Sequence, residues 1–456
     1  MRFLVAVIAL LIPFFSSARQ LTDYVHPWVG SSNFGTTNPG AVCPNGMMSV
    51  SPFNVTGSEK NKWDKDSRWW STPYTSDNCW FTGFSHVNLS GVGCPELGTI
   101  ITMPTSGELS TDYLLYGSEY TGETAQPGYY ALKLSKYDIL AEVASTMRSS
   151  IERYTYRKGK AHVIVNLGQG LTNESGGFIR KVSDTEIEGM RLCGGFCYHS
   201  QAVFPQYFVI RVNKSPKEAG FWKKQPNMTA EAAWDEHAGK YKVYTDYARE
   251  MAGDDLGYRF TFDAEDGEQI CVQMGVSFVS CDNARQNLDA EQLGCNFDKV
   301  RAESHRQWEE ALERVKVSGG SEEQKEIFYT ALYHALLHPN VLNDVNGEYP
   351  LMQGGKYAAQ NGIEVVTPGI GKVAKGHNRY TVFSLWDTSR NLHQLLTLAY
   401  PEKQIDMVRS MVDMYKEWGW MPKWELYGRE TFTMEGDPAI RSEEHTSELQ
   451  SPEAIS

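Results

Sequence analysis

A β-sandwich followed by helical hairpins of an α/α toroid is the fold that the sequence predicts, and three observations predict it. From about residue 127 to 281 apolar residues alternate with polar ones or come in short β-branched and aromatic runs, such as YYALKL, HVIVNL and QYFVIRVN. After Cys281 the apolar period lengthens to that of helices, in runs such as FDKVRAESHRQWEEALERVKV and EEQKEIFYTALYHALL. At 456 residues the chain exceeds one ordinary domain, so a change of period reads as a change of domain.

The chain opens with MRFLVAVIALLIPFFSSA, which has the layout of a signal peptide: basic Arg2, an apolar core over residues 3–15, and small Ser16, Ser17 and Ala18 at the cleavage site. That core is too short to span a bilayer. We expect residues 1–18 to be removed and the mature protein to be exported, to the periplasm or the exterior, and soluble. Residues 24–53 are dense in Gly, Pro, Ser, Thr and Asn and read as loop. Residues 60–98 carry Trp63, Trp69, Trp70 and Trp80, then GFSHVNLSGVGCPELG, in which His86 stands in a polar loop flanked by Gly83, Gly91 and Gly93. His86 and Trp80 are candidate pocket residues, against the plainer reading of core or surface side chains.

Turn residues Gly159, Gly168, Gly194, Gly195 and Gly257 separate the predicted strands. In the helical part, Ser321 and Gln324 make a capping box. Ile327, Phe328, Ala331, Leu332 and Leu336 are expected to share the buried face of that helix, and Pro339 to end it. A Gly/Asn/Tyr-rich loop over roughly 343–380 follows. A further helix is opened by Pro401 and closed by Gly419. Its expected buried face is Ile405, Val408, Val412 and Tyr415, with Met411 beside them.

The chemistry is concentrated in residues 382–440. Trp386-Asp387 and Trp424-Glu425 flank the last helix, with Arg390, Lys423, Arg429 and Asp437 nearby. An indole stacks on the flat apolar face of a pyranose while carboxylates take its hydroxyls, so this composition suits a sugar site. The plainer alternative is a buried tryptophan beside an acid paired within the helix, Asp387 to Arg390.

Composition excludes some partners. The net charge of −13 argues against nucleic acid or an anionic membrane surface. The eight cysteines, at 43, 79, 94, 193, 197, 271, 281 and 295, are compatible with disulfides in an exported protein, without indicating the pairing. Cys193 and Cys197 form a metal-like pair, but zinc sites present two such pairs or added histidines. Asn-X-Ser/Thr triplets occur at Asn54, Asn88, Asn173, Asn213 and Asn227.

WDTSR, GWMPKWELYG and MEGDPAI resemble the catalytic domain of glycoside hydrolase family 92, calcium-dependent exo-acting alpha-mannosidases, and the loops at 24–53 and 83–98 resemble its N-terminal signatures. The resemblance covers roughly residues 20–440. It implies an N-terminal β-sandwich followed by an (α/α)6 barrel, removal of terminal alpha-mannose from glycans with inversion, and a calcium ion that holds sugar hydroxyls. It implies substrate-binding roles for Trp386, Asp387, Arg390, Trp424, Glu425, His86 and Trp80. Ser389 departs from the pattern, where the family usually has an aromatic residue. The family's general acid lies in an EGN-type motif and its base in a GNDD-type motif, and neither occurs in residues 1–456. The final RSEEHTSELQSPEAIS has no period and looks like translated adapter sequence.

The expected organisation is therefore a signal peptide (1–18), a sandwich (19–281), a helical linker (282–320), the first part of an (α/α)6 catalytic domain (321–440) and a non-native tail (441–456), in an inactive fragment whose metal ligands are unknown. Two other readings remain: a non-catalytic carbohydrate-binding protein, and a different toroid enzyme with a sandwich in front, such as a phosphorylase.

Overall fold

A computed structural model describes residues 19–439 except 34, 56–70, 173–175, 199–202, 225–240, 244–247, 293 and 353–368. The expected signal peptide at residues 1–18, the expected non-native tail at residues 441–456, and Trp63, Trp69 and Trp70 lie outside the described residues.

Two antiparallel sheets dominate the first part. One runs, in order across the sheet, Ala41–Val42, Ser49–Pro52, Phe84–Asn88, Leu97–Ser106, Gly159–Asn166, Leu256–Ala264, Glu218–Lys224 and Tyr241–Val243. The other runs Glu250–Ala252, Gly177–Lys181, Glu186–Cys193, Phe204–Val212, Gln269–Ser277, Ser149–Thr155, Ile139–Ser145, Tyr129–Leu134, Ser118–Gln126 and Trp80–Phe81. Val163, Val165, Phe260 and Phe262 from the first sheet and Tyr130, Leu132, Ile210 and Val272 from the second belong to one buried core. This is the sandwich arrangement, built from the alternation that marks one face of each strand as apolar. The stretch at 24–53, expected as loop, includes two of these strands.

The helical part follows. Cys281–Glu291 is capped by Ser280, whose side chain accepts from the Asn283 N–H. Its Ala284 and Leu288 pack on Val209. Gly275 in the facing strand lets it come this close, because a Cβ there would lie 2.3 Å from the Ala284 carbonyl oxygen. Phe297–Leu312 touches both parts. Phe297 and Val300 pack on Tyr129 and Ile151, while Trp308 and Leu312 enter a second core.

That second core is built by Phe297–Leu312, Glu322–Ala335, Leu392–Ala399 and Pro401–Trp418. The Ser321–Gln324 capping box is formed, and Gly419 closes the last helix at φ 92°. The buried faces differ from those expected. In Glu322–Ala335 the buried residues are Tyr329, Thr330, Leu332 and Tyr333, and Ile327 is 65% exposed. In Pro401–Trp418 they are Gln404, Asp406, Met407, Ser410, Met411 and Met414, while Ile405, Val408 and Val412 are half-buried and Tyr415 is 53% exposed. From this helix the methionines, not the β-branched residues, are the fully buried apolar side chains, and a flexible thioether side chain fits irregular gaps.

Candidate functional site

A small three-stranded sheet builds the site. Phe383–Ser384 pairs with Trp424–Leu426, which pairs with Arg429–Glu430. Ser384 stands opposite Trp424 and Phe383 opposite Glu425, and the Leu385 N–H donates to the Lys423 carbonyl at 3.1 Å. The two aromatic-carboxylate motifs are thus joined by backbone hydrogen bonds, although 38 positions separate Trp386 from Trp424.

The sheet sorts the candidates by burial. Leu385–Thr388 is a single helical turn that begins as the strand ends, and it carries Trp386 and Asp387 outward. Trp386 is 39% exposed, and Asp387 and Arg390 are exposed as well. The Arg390 guanidinium lies 4.6 Å from the Trp386 ring centroid. Arg390 therefore stacks on the indole instead of pairing with Asp387. Asp387 accepts from the Ser384 hydroxyl, which stands at the N-cap of the same turn.

Trp424 and Glu425 are both buried. Trp424 is buried and packs on Phe196 with ring centroids 4.4 Å apart. Glu425 has no exposed surface and accepts from the Thr381 hydroxyl at 3.0 Å and the Gly428 N–H at 2.6 Å. Burial pushes its carboxyl up to about 8, against the pull of those donors and of Arg379. Glu430 accepts the N–H groups of Lys423, Trp424 and Phe432, and burial raises its carboxyl too. These acids clasp the hairpin, and a sugar does not reach Trp424 or Glu425 in this structure.

His86 and Trp80 belong to the sandwich. His86 lies in a strand rather than a loop and is fully buried. Its Nδ1 is 2.7 Å from the Ile100 carbonyl oxygen and its Nε2 2.8 Å from Glu152 Oε1. Glu152 also accepts from Thr102 and Tyr154. Val87 and Ile100, both β-branched, hold φ 60° and 51° here, so the strand is bent around the imidazole. Trp80 is buried over Gly117, where a Cβ would fall 2.4 Å from the indole nitrogen. The partners of both come from the sandwich, and the structure does not bring them to the Trp386 rim. Asn88 is buried, its amide held by Ser49 and Ser85. Cys197 closes a disulfide with Cys94, so it does not serve a metal with Cys193.

Three features carry little sequence signal. Arg379, fully buried, pairs with Glu417 at 2.9 Å, and Glu417 also accepts from Tyr349 and from the Met352 N–H. Asp344 accepts from Ser277, Asn283 and Asn287 at 2.7, 2.8 and 2.6 Å, tying the helical part to the sandwich. Ser384 is the one that could have been found, because S-x-x-D is a helix-start signature. Val382, Tyr427, Phe432 and Met434, all non-glycine, hold φ of 63°, 48°, 55° and 69° around the hairpin. Such strain concentrates where geometry serves binding.

Calcium takes six to eight oxygen ligands. Among the described residues no three His, Cys, Asp or Glu side chains converge as such a site needs.

Two family profiles match the chain, the glycosyl hydrolase family 92 N-terminal domain over residues 24–277 and the glycosyl hydrolase family 92 catalytic domain over residues 283–442. An uncharacterized secreted glycosidase from Arthroderma benhamiae is 25% identical over 363 residues, covering 72% of this chain and 43% of that protein. A family GH92 alpha-mannosidase from Bacteroides thetaiotaomicron is similar at 29% identity and a TM-score of 0.78, over 95% of this chain and 57% of that one. A structure of the Bacteroides alpha-mannosidase in complex with mannoimidazole is similar at 28% identity and 0.76, over 94% and 56%. An inverting mannosidase from the same organism shares the fold at 22% identity and 0.73, over 96% and 54%. The chain spans about half the length of these relatives.

Proposed function

This chain belongs to glycosyl hydrolase family 92, and from that premise we propose that the whole protein is an exported, exo-acting alpha-mannosidase that removes terminal alpha-mannose from glycans by calcium-assisted inverting hydrolysis. The observation that carries the reading is the rim of Trp386, Asp387 and Arg390, open to solvent at the helical turn that follows strand Phe383–Ser384, with Arg390 stacked on Trp386. Trp386 offers an apolar face for the sugar ring, held by Arg390 stacked on it. Asp387, oriented by Ser384, accepts sugar hydroxyls as charge-assisted hydrogen bonds. Glu425 and Glu430 keep the hairpin in shape from beneath. The mannoimidazole complex of the Bacteroides relative supports a mannose-shaped ligand for this family member too.

Inversion needs an acid and a base on opposite faces of the sugar, about 6.5–9.5 Å apart. We assign neither role within residues 1–456, where the EGN and GNDD-type motifs do not occur. Calcium ligands are likewise assigned outside the described residues, and the (α/α)6 barrel is proposed for the whole protein. The test is to assay alpha-mannosides with this chain and with a version extended to the length of its relatives, each with calcium and with a chelator. Turnover is expected only from the extended, calcium-supplied protein. Binding without turnover by that protein would favour a carbohydrate-binding role instead, and chelator-resistant hydrolysis by this chain alone would mean that the catalytic residues are misplaced.

A further inference from the structure

Cys271 and Cys295 are free thiols in the structure, and each lies near enough to the other to shift its acidity. They come from different elements. Cys271 is on Gln269–Ser277, the last strand of the sandwich, opposite Arg153. Cys295 is in the turn between Cys281–Glu291 and Phe297–Leu312, at φ 47°, one residue before the N-cap Asn296.

The surroundings keep the two sulfurs together. The Arg153 guanidinium lies 4.1 Å from the Phe297 ring centroid, and its Nη1 is 3.0 Å from Asp298 Oδ1. The residue opposite Cys271 therefore grips the two residues that follow the Cys295 turn. Tyr129 packs edge-on to Phe297 at 6.3 Å, and Cys295 lies against the apolar cluster of Tyr129, Ile151, Phe297 and Val300. On its far side Cys271 is fixed by Asn213, which accepts the Cys271 N–H at 2.9 Å and donates its own to the Cys271 carbonyl at 3.1 Å. The chain already closes one disulfide, Cys94–Cys197.

We propose that Cys271 and Cys295 are a redox site, closed to a second disulfide by a small or protein disulfide donor, which fastens the turn before Phe297–Leu312 to the sandwich. One sulfur, as its thiolate, attacks the donor disulfide, forms a mixed disulfide and releases one donor thiol. The other, after losing its proton, attacks the mixed disulfide, closes the Cys271–Cys295 bond and releases the second donor thiol. Two protons and two electrons leave the protein, and the donor is reduced to two thiols. Cys271 is the more acidic partner, held below the ordinary thiol range by its neighbour Cys295 and helped by Arg153, whereas Cys271 and burial push Cys295 up.

The test is peptide mapping of the full chain after oxidation with glutathione disulfide, alkylation under denaturing conditions without reduction, and mass spectrometry. The expected result is a peptide pair joined through Cys271 and Cys295 that separates on adding dithiothreitol, beside the Cys94–Cys197 pair. A thermal melt adds a second readout. Dithiothreitol should lower the midpoint of the oxidised wild type by on the order of 5 °C more than that of the Cys271→Ser, Cys295→Ser protein. If that variant fails to fold, the peptide map alone decides. Alkylated Cys271 and Cys295 in nearly all molecules, or either one joined to another cysteine, would overturn the proposal, whether or not Cys94–Cys197 is linked.

Discussion

Glu425 and Asp387 sit on adjoining segments of one small sheet, and burial separates their roles. In the unfolded chain the Glu425 carboxyl ionises near its ordinary 4.5, whereas in the folded chain burial pushes it up to about 8. Between these values the folded state keeps a proton that the unfolded state has lost, so raising the pH favours unfolding. The stabilisation from the neutral carboxyl is complete below the lower value and is lost as pH rises through the upper one. Asp344, pushed up to about 6 from 3.8 by burial, adds a slope of the same sign lower down. Glu425→Gln keeps an acceptor for Gly428 and a partner for Thr381 without the charge. Buried His338, His334 and His162, held below the ordinary histidine value, contribute a slope of opposite sign to both proteins, so the test is the difference: from about pH 5 to 8 the urea midpoint of the wild type should lose ground to that of this variant. Equal slopes would show that Glu425 is ionised inside the fold. The sequence made the acids of this stretch legible as a group but not their division of labour. Burial depends on the partner strand, and a Trp-Glu pair looks the same in a rim and in a core.

The helices show the same limit one level up. Their existence and ends were legible, because the Ser321–Gln324 box, Pro401 and Gly419 are local signals. Their buried faces were legible only in part: Leu332, Leu336 and Met411 are buried as expected, whereas Ile327 and Tyr415 are exposed. Pro401–Trp418 carries two apolar stripes a fraction of a turn apart, and only the neighbouring helices decide which one is covered. Met411→Ala should cost about 2–5 kcal/mol, and Val412→Ala under about 1.5 kcal/mol, in urea unfolding. Equal losses would mean that the helix is rotated from the position described. The strands at 41–52 went unread for a related reason. Their Gly- and Pro-rich context is that of a loop, and they are strands only because Phe84–Asn88 lies beside them.

On the scale of the molecule, Phe297–Leu312 bridges the sandwich and the helical core, while Cys281–Glu291 packs on the sandwich strand at Val209. The order of a β-rich part before a helical one follows directly from the change of period, which reports local geometry. The joint does not, because Asp344, Asn283, Asn287 and Ser277 are unremarkable polar residues until folding brings them together. Asp344→Ala would remove the acceptor shared by Ser277, Asn283 and Asn287 and should cost about 1–3 kcal/mol, seen as a lowered thermal midpoint. An unchanged midpoint would show that the joint is not fastened there. The helical part also presents apolar side chains to solvent, with Ile327 and Tyr415 joined by Leu398 at 81% exposed. This chain alone is expected to self-associate in light scattering, and a monomer at high concentration would contradict that.

The most direct measurement is the steady-state kinetics of Asp387→Asn against wild type in the extended, calcium-supplied protein on an alpha-mannoside, with circular dichroism and a thermal melt of both. Loss of a charge-assisted bond to the sugar should lower kcat/KM roughly 10- to 150-fold, equivalent to about 1.5–3 kcal/mol, while fold and melting point stay the same. Wild-type kinetics in a folded Asp387→Asn protein would contradict the assignment of the Trp386–Asp387 rim as the mannose site.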